Sequence, residues 1–126
     1  MDEHILDSSA AVAFTRRESG WEMVAKVQHR LISSVNLAET ASVLTEKGFT
    51  IHEAVRSLAI LNLHVIDFDE AQAMEAARLR PLTRAYGLSL GDRACLALAA
   101  SRGLPVLTTD RVWSAAAPHL TITLIR

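Results

Sequence analysis

Cysteine is almost absent from this chain. Cys95 stands alone among 126 residues, so an internal disulfide framework is excluded, and its apolar neighbours on a helix-like stretch mark it as a small buried side chain rather than a nucleophile. The five histidines, His4, His29, His52, His64 and His119, lack the i, i+4 pairing and the cysteine partners that zinc sites use. No apolar run reaches the roughly 20 residues that cross a bilayer, and Asp2 and Glu3 stand where a signal peptide carries basic residues. The expectation is a soluble, cytoplasmic protein with no membrane partner. Positive charge is not in excess either: thirteen Lys and Arg against fourteen Asp and Glu give a formal net charge of −1, so any site for a polyanion has to be local. Arg16, Arg17, Arg78, Arg80, Arg84, Arg93 and Arg111 are candidate phosphate contacts, and a solvated helix face accounts for most of them equally well. Lysine stops at Lys47, which removes a receiver domain with its late lysine, and the lack of a Gly-x-Gly-x-x-Gly or phosphate loop removes the common nucleotide-binding folds.

What is present is a regular alternation. Apolar, β-branched runs at 4–6, 30–33, 64–68, 105–108 and 121–125 read as strands, and the stretches between them carry helical periodicity and caps. Gly48 and Gly87 fall where helix C-caps belong, Thr50-x-x-Glu53 opens a helix at about residue 51, and Asp69 with Gln72 opens the next. Ile51, Val55, Leu58 and Leu61 make one amphipathic stripe, while Ala94, Cys95, Leu98 and Ala99 let a helix from Ser89 to Arg102 pack close to a sheet. With no repeat or linker, residues 1–126 fit one domain around one core. The fold class is α/β: a three-layer α/β/α sandwich on a mainly parallel sheet of about five strands, the short last one at an edge.

Four acids occupy a shared position in this pattern. Asp7 in Leu6-Asp7-Ser8-Ser9, Glu39 in Ser33-Ser34-Val35-Asn36-Leu37-Ala38-Glu39, Asp92 in Leu88-Ser89-Leu90-Gly91-Asp92 and Asp110 in Leu107-Thr108-Thr109-Asp110 each lie where a strand-like run gives way to a helix-like one. In a parallel α/β sheet such turns gather along the carboxyl edge, where ligands bind. Taken singly, each acid has a plain explanation. Asn36-x-x-Glu39 and Ser89-x-x-Asp92 fit capping boxes, Asp7 and Asp110 fit N-caps, and an acid in a first turn gains about 0.3–1 kcal/mol from the helix dipole. Four such coincidences together are less expected than any one. Asp67, Asp69 and Glu70 are read as capping and surface residues.

Convergence would be costly without relief, since two carboxylates about 4 Å apart repel by roughly 4 kcal/mol at an effective dielectric near 20. A hard divalent cation supplies that relief: Mg²⁺ favours one or two carboxylates plus water and phosphate oxygens. Such an ion can activate water and neutralise charge on a phosphodiester, which is nuclease chemistry. On this reading Asp7 and Asp92 are the primary ligands, Asp110 completes or extends the site, Glu39 binds directly or through water, and Ser9 and Thr109 orient carboxylates or waters.

The segments Leu6-Asp7-Ser8-Ser9-Ala10, Ser34-Val35-Asn36-Leu37-Ala38-Glu39, Leu88-Ser89-Leu90-Gly91-Asp92-Arg93-Ala94-Cys95-Leu96-Ala97 and Leu107-Thr108-Thr109-Asp110-Arg111-Val112-Trp113 together resemble a PIN domain of the VapC toxin type, in order and spacing, nearly end to end. The resemblance implies a Mg²⁺- or Mn²⁺-dependent endoribonuclease acting on RNA, with Asp7, Glu39, Asp92 and Asp110 as its acidic quartet. It also implies a small antitoxin that blocks the site and a homodimeric assembly. The apolar stripe from Ile51 to Leu61 would then be a candidate antitoxin or dimer surface, although core packing explains it as well. Some family members carry another acid two residues after the fourth; here that residue is Val112, which puts a second metal position in doubt. The alternatives are a non-catalytic binding module whose acids are only caps, and a nuclease of RNA processing or DNA metabolism.

Overall fold

The computed structural model describes residues 2–126. Its five strands are β1 (Glu3–Leu6), β2 (His29–Ser33), β3 (His64–Ile66), β4 (Val106–Thr108) and β5 (Ile122–Leu124), close to the five predicted runs. They form one sheet in the order β3-β2-β1-β4-β5, with every neighbouring pair parallel and β5 at an edge. Parallel strands need long crossovers, and here each of the first three carries helices. α1 (Ser8–Arg16) and α2 (Trp21–Lys26) follow β1, and α3 (Ser34–Glu46) and α4 (Ile51–Ala59) follow β2. After β3 come α5 (Glu70–Thr83), a single 3-10 turn at Arg84–Tyr86, and α6 (Leu90–Arg102), while the short α7 (Trp113–Ala116) joins β4 to β5.

Successive strand residues face opposite sides, and the core divides accordingly. Leu6, Ile32 and Leu107 pack with Ala10, Phe14, Leu44 and Leu58 of α1, α3 and α4. Ile5, Leu31 and Val106 pack with Leu79, Leu96, Leu98 and Trp113 of α5, α6 and α7. The result is the expected three-layer sandwich. Gly20, with φ +91° at the start of α2, leaves no room for a Cβ beside the Ile125 backbone and lets the last segment of the chain lie against the α1–α2 turn.

The crossovers lie on one face for β1 to β2 to β3 and on the other for β3 to β4. The winding therefore reverses between β1 and β4, and the carboxyl edge at that reversal is the position where ligands enter such sheets. Asp7 and Asp110 stand there, at the ends of the two central strands.

Three expectations change. No strand precedes Asp92, because Leu88 sits in a loop after the 3-10 turn; Asp92 reaches the carboxyl edge because α6 runs back against the strands, as a crossover to a parallel neighbour must. Asn36 is not an N-cap: Ser33 is, its hydroxyl accepting from the Val35 N–H, which leaves Asn36 inside α3 and buried. The stripe on α4 also divides, since Leu58 and Leu61 are buried but Ile51 and Val55 are 55% and 58% exposed, because the helix ends at Ala59 and turns only its Ala54–Leu58 side to the core.

Candidate active site

Asp7 is the floor of the site. It caps α1, with Oδ1 accepting from the Ala10 N–H at 2.9 Å and the Ser9 hydroxyl at 2.7 Å, while Oδ2 accepts from the Thr108 hydroxyl at 2.6 Å. Only 5% of its surface is exposed, and none of the salt bridges among the described residues involves it. Burial raises its pKa from 3.8 to about 6, against the lowering effect of its three hydrogen bonds and with a small further push from Asp92. A carboxylate so placed is held by neutral donors and lacks a counter-charge.

Thr108 and Ser9 tie this floor to Asp110. The Thr108 hydroxyl accepts from the Asp110 N–H at 3.0 Å, and the Ser9 hydroxyl accepts from the Thr109 N–H at 3.0 Å. Thr109 thus enters through its backbone, and the hydroxyl on the Asp7 carboxylate belongs to Thr108. Asp110 is half-buried, and its Oδ1 accepts from the Val112 N–H at 3.1 Å, closing a turn ahead of α7.

Asn36 links Glu39 on α3 to Gly91, the residue before Asp92, on α6. The Asn36 amide donates both to Glu39 Oε1 and to the Gly91 carbonyl, each at 2.9 Å. Gly91 leaves the space that the Glu39 carboxylate occupies, because a Cβ there would overlap it. Asp92 closes a complete capping box with Ser89: the Ser89 N–H donates to Asp92 Oδ2 at 2.9 Å, and the Asp92 N–H donates to the Ser89 hydroxyl at 3.1 Å. The other two boundary acids behave as predicted, Glu53 in a capping box with Thr50 and Asp69 as N-cap to Gln72. Cys95 is buried in α6, and its thiol pKa is pushed well up by burial first and then by the charges of Asp7, Asp92 and Glu39. The cap of α1, the first turn of α6 and the second turn of α3 thus each supply a charge that acts on Cys95.

Among the described residues no three His, Cys, Asp or Glu side chains are grouped tightly enough to cage a metal ion. The donor set nevertheless suits a hard cation. Among the described residues Glu39 Oε2, Asp92 Oδ1 and Asp110 Oδ2 accept no hydrogen bond, and Asp7 pairs with no basic side chain. Mg²⁺ bound by one or two of these and by water fits such an open arrangement better than an ion needing a closed protein cage. Asn36 and Thr108 were the residues missed in the sequence. Asn36 also keeps a buried Oδ1 without a partner, beside the same carboxylates.

The cationic candidates are mostly committed elsewhere. Arg17 lies over the Phe14 and Trp21 rings, Arg78 pairs with Glu75, and Arg93 donates to the Ala76 carbonyl on α5. No helix among the described residues is long and apolar enough to cross a membrane.

No curated protein matches the chain. VapBC2 from Rickettsia felis, solved bound to a promoter DNA fragment, aligns over 97% of this chain and 98% of its own at TM-score 0.74 and 21% identity. VapC20 from Mycobacterium tuberculosis, described as a Sarcin-Ricin loop cleaving toxin, aligns over 89% and 93% at TM-score 0.76 and 20% identity. A toxin-antitoxin complex from Klebsiella pneumoniae aligns over 98% of both chains at 0.74 and 20% identity. These likenesses establish the fold. The family model of the PIN domain matches residues 4–117, a span that holds all four acids and the sheet edge they occupy, and the chain belongs to the PIN domain family.

Proposed function

We propose that this protein is a divalent-metal-dependent endoribonuclease, the toxin of a toxin-antitoxin pair, which hydrolyses RNA at the acidic edge of its sheet. The observation that carries the reading is Asp7, a buried carboxylate that pairs with no basic side chain among the described residues, at the point where the sheet's winding reverses, joined to Asp110 through the Thr108 hydroxyl and to Asp92 by charge. Asp7 and Asp92 would hold Mg²⁺, for which Mn²⁺ could substitute, with Asp110 completing the site and Glu39 binding directly or through water. Such an ion, when bound, activates water and neutralises charge at a phosphodiester. The chain's own residues set the positions: Thr108 and Ser9 fix the plane of the Asp7 carboxylate, and Asn36 holds Glu39 against Gly91 beside Asp92. The activity given for the Mycobacterium tuberculosis neighbour favours RNA over DNA.

The proposed partner is a small antitoxin, as in the complexes from Rickettsia felis and Klebsiella pneumoniae. An apolar groove of about 570 Å³ between α3 and α4, lined by Leu37, Ala41, Val55, Leu58 and Val65, suits an apolar segment of such a protein. A homodimer of single-domain chains, residues 1–126, completes the proposal. The competing reading, a binding module whose acids serve only as caps, draws on the complete capping box of Asp92.

Purified, partner-free protein incubated with total cellular RNA and Mg²⁺ or Mn²⁺ separates the two. Discrete fragments that vanish with EDTA and in Asp92→Asn are expected, because an Asn side-chain oxygen still accepts from the Ser89 N–H and preserves the cap. Intact RNA, together with no shift of Tm on adding metal, would overturn the nuclease reading in favour of the binding module.

A further inference from the structure

A second concavity, of about 400 Å³, adjoins the acidic site between α1 and the end of α3, where the last residue also reaches. Ser8 and Ser9 line it together with Glu18, Lys47 and Arg126. Ser9 belongs to both places, since its hydroxyl is the one bonded to Asp7 and to the Thr109 N–H.

The charge of this cleft runs against that of the molecule. The chain has a net charge of −1, yet the side chains of the cleft include two cations and one carboxylate, Glu18, which pairs with Arg16 at 2.9 Å and with Arg126 at 3.7 Å, while Arg126 also donates to the Ser19 carbonyl at 3.1 Å. Lys47 has no salt-bridge partner among the described residues and is exposed. A polyanion meeting the acidic edge needs cations beside it to offset repulsion, and such contacts contribute affinity without base selectivity.

We propose that this cleft is the subsite for the phosphodiester backbone of the RNA strand on one side of the cleaved bond, with Lys47 and Arg126 as phosphate contacts and Ser8 as a hydroxyl donor. The assignment rests on the ribonuclease reading above and adds the path of the strand. Ser9, shared between the cleft and Asp7, sets the direction: the strand leaves the acidic floor over the start of α1 towards the end of α3.

The test is fluorescence anisotropy of a labelled single-stranded RNA oligonucleotide with the full chain in EDTA, where hydrolysis is blocked, over a range of salt concentrations. Each phosphate contact on a single strand contributes about 0.7 to the slope of log affinity against log salt. The double variant Lys47→Gln/Arg126→Gln should therefore lose about 1.4 from that slope. It should keep the wild-type Tm and metal-induced Tm shift, whereas the control Arg102→Gln should keep the slope. RNA affinity and slope unchanged in the double variant, in a protein that still cleaves RNA with metal, would overturn the subsite and leave the nuclease standing. Absence of both RNA binding and metal-dependent cleavage overturns both readings. Polyglutamate binding tighter than the RNA, and lost in the double variant, overturns the subsite in favour of an acidic protein partner.

Discussion

Burial of Asp7 links its protonation to the stability of the metal-free protein. Its carboxyl titrates at 3.8 ordinarily and at about 6 in the fold, so between those values the folded chain holds a proton that the unfolded chain has released. Stability from this group is complete below about pH 4 and is lost as the pH rises through about 6, an effect of about 3 kcal/mol for a shift of this size. Asp7→Asn should remove that dependence. In EDTA, denaturant unfolding should show the variant gaining on the wild type from pH 4 to 7, and a difference that stays flat with pH would contradict the assignment. Legibility at this scale followed sequence distance. Asp7, Ser9 and Asp92 stood out because caps and first-turn acids have short, local signatures. Thr108 meets Asp7 only through the register that sets Leu6 opposite Leu107, and Asn36 meets Gly91 across 55 positions, so neither has a local signature to read.

Between α3 and α6 the fit is steric as well as polar. Gly91→Ala adds a favourable helical residue, worth up to about 1 kcal/mol, but places a methyl group where the Glu39 carboxylate lies. That carboxylate is the end of a flexible side chain and can swing away, so stability should change by no more than about 1 kcal/mol. Activity should fall about 10–100-fold, the usual consequence of disturbing groups that orient metal ligands. Comparing Tm with the RNA cleavage rate for this variant checks both halves; an unchanged rate would mean that the position of Glu39 is immaterial. The elements themselves were largely legible, since strand runs and cap residues identify them locally. The context of Asp92 was misjudged because Leu88-Ser89-Leu90 resembles the end of a strand, while only Leu88 is buried, in the core between the sheet and α5, α6 and α7, a tertiary fact.

Across the whole molecule, the two core layers share one sheet, and neither can melt while the other keeps its strands. Leu107→Ala on one face and Leu98→Ala on the other, both fully or almost fully buried, should each cost about 2–5 kcal/mol. Both should leave a single transition, seen alike by far-UV and near-UV circular dichroism, if residues 1–126 are one domain. Two separated transitions in either variant would divide it. The layered architecture was legible because alternation of strand and helix admits few packings. Strand order was not, because it depends on which neighbours pair, and that is where the reversal beside Asp7 arises.

The hydrogen bond from Thr108 to Asp7 closes a loop of 101 positions. During synthesis the first acid emerges early and then waits for β4, which must slide in beside β1 before Thr108 can reach it. Assembly of the acidic edge therefore has to wait for β4, and closing so long a loop carries an entropy cost that the finished contacts must offset. A ribosome making this protein carries an incomplete acidic edge until most of the chain has been made, and a chain truncated before β4 would lack Thr108 and Asp110 altogether.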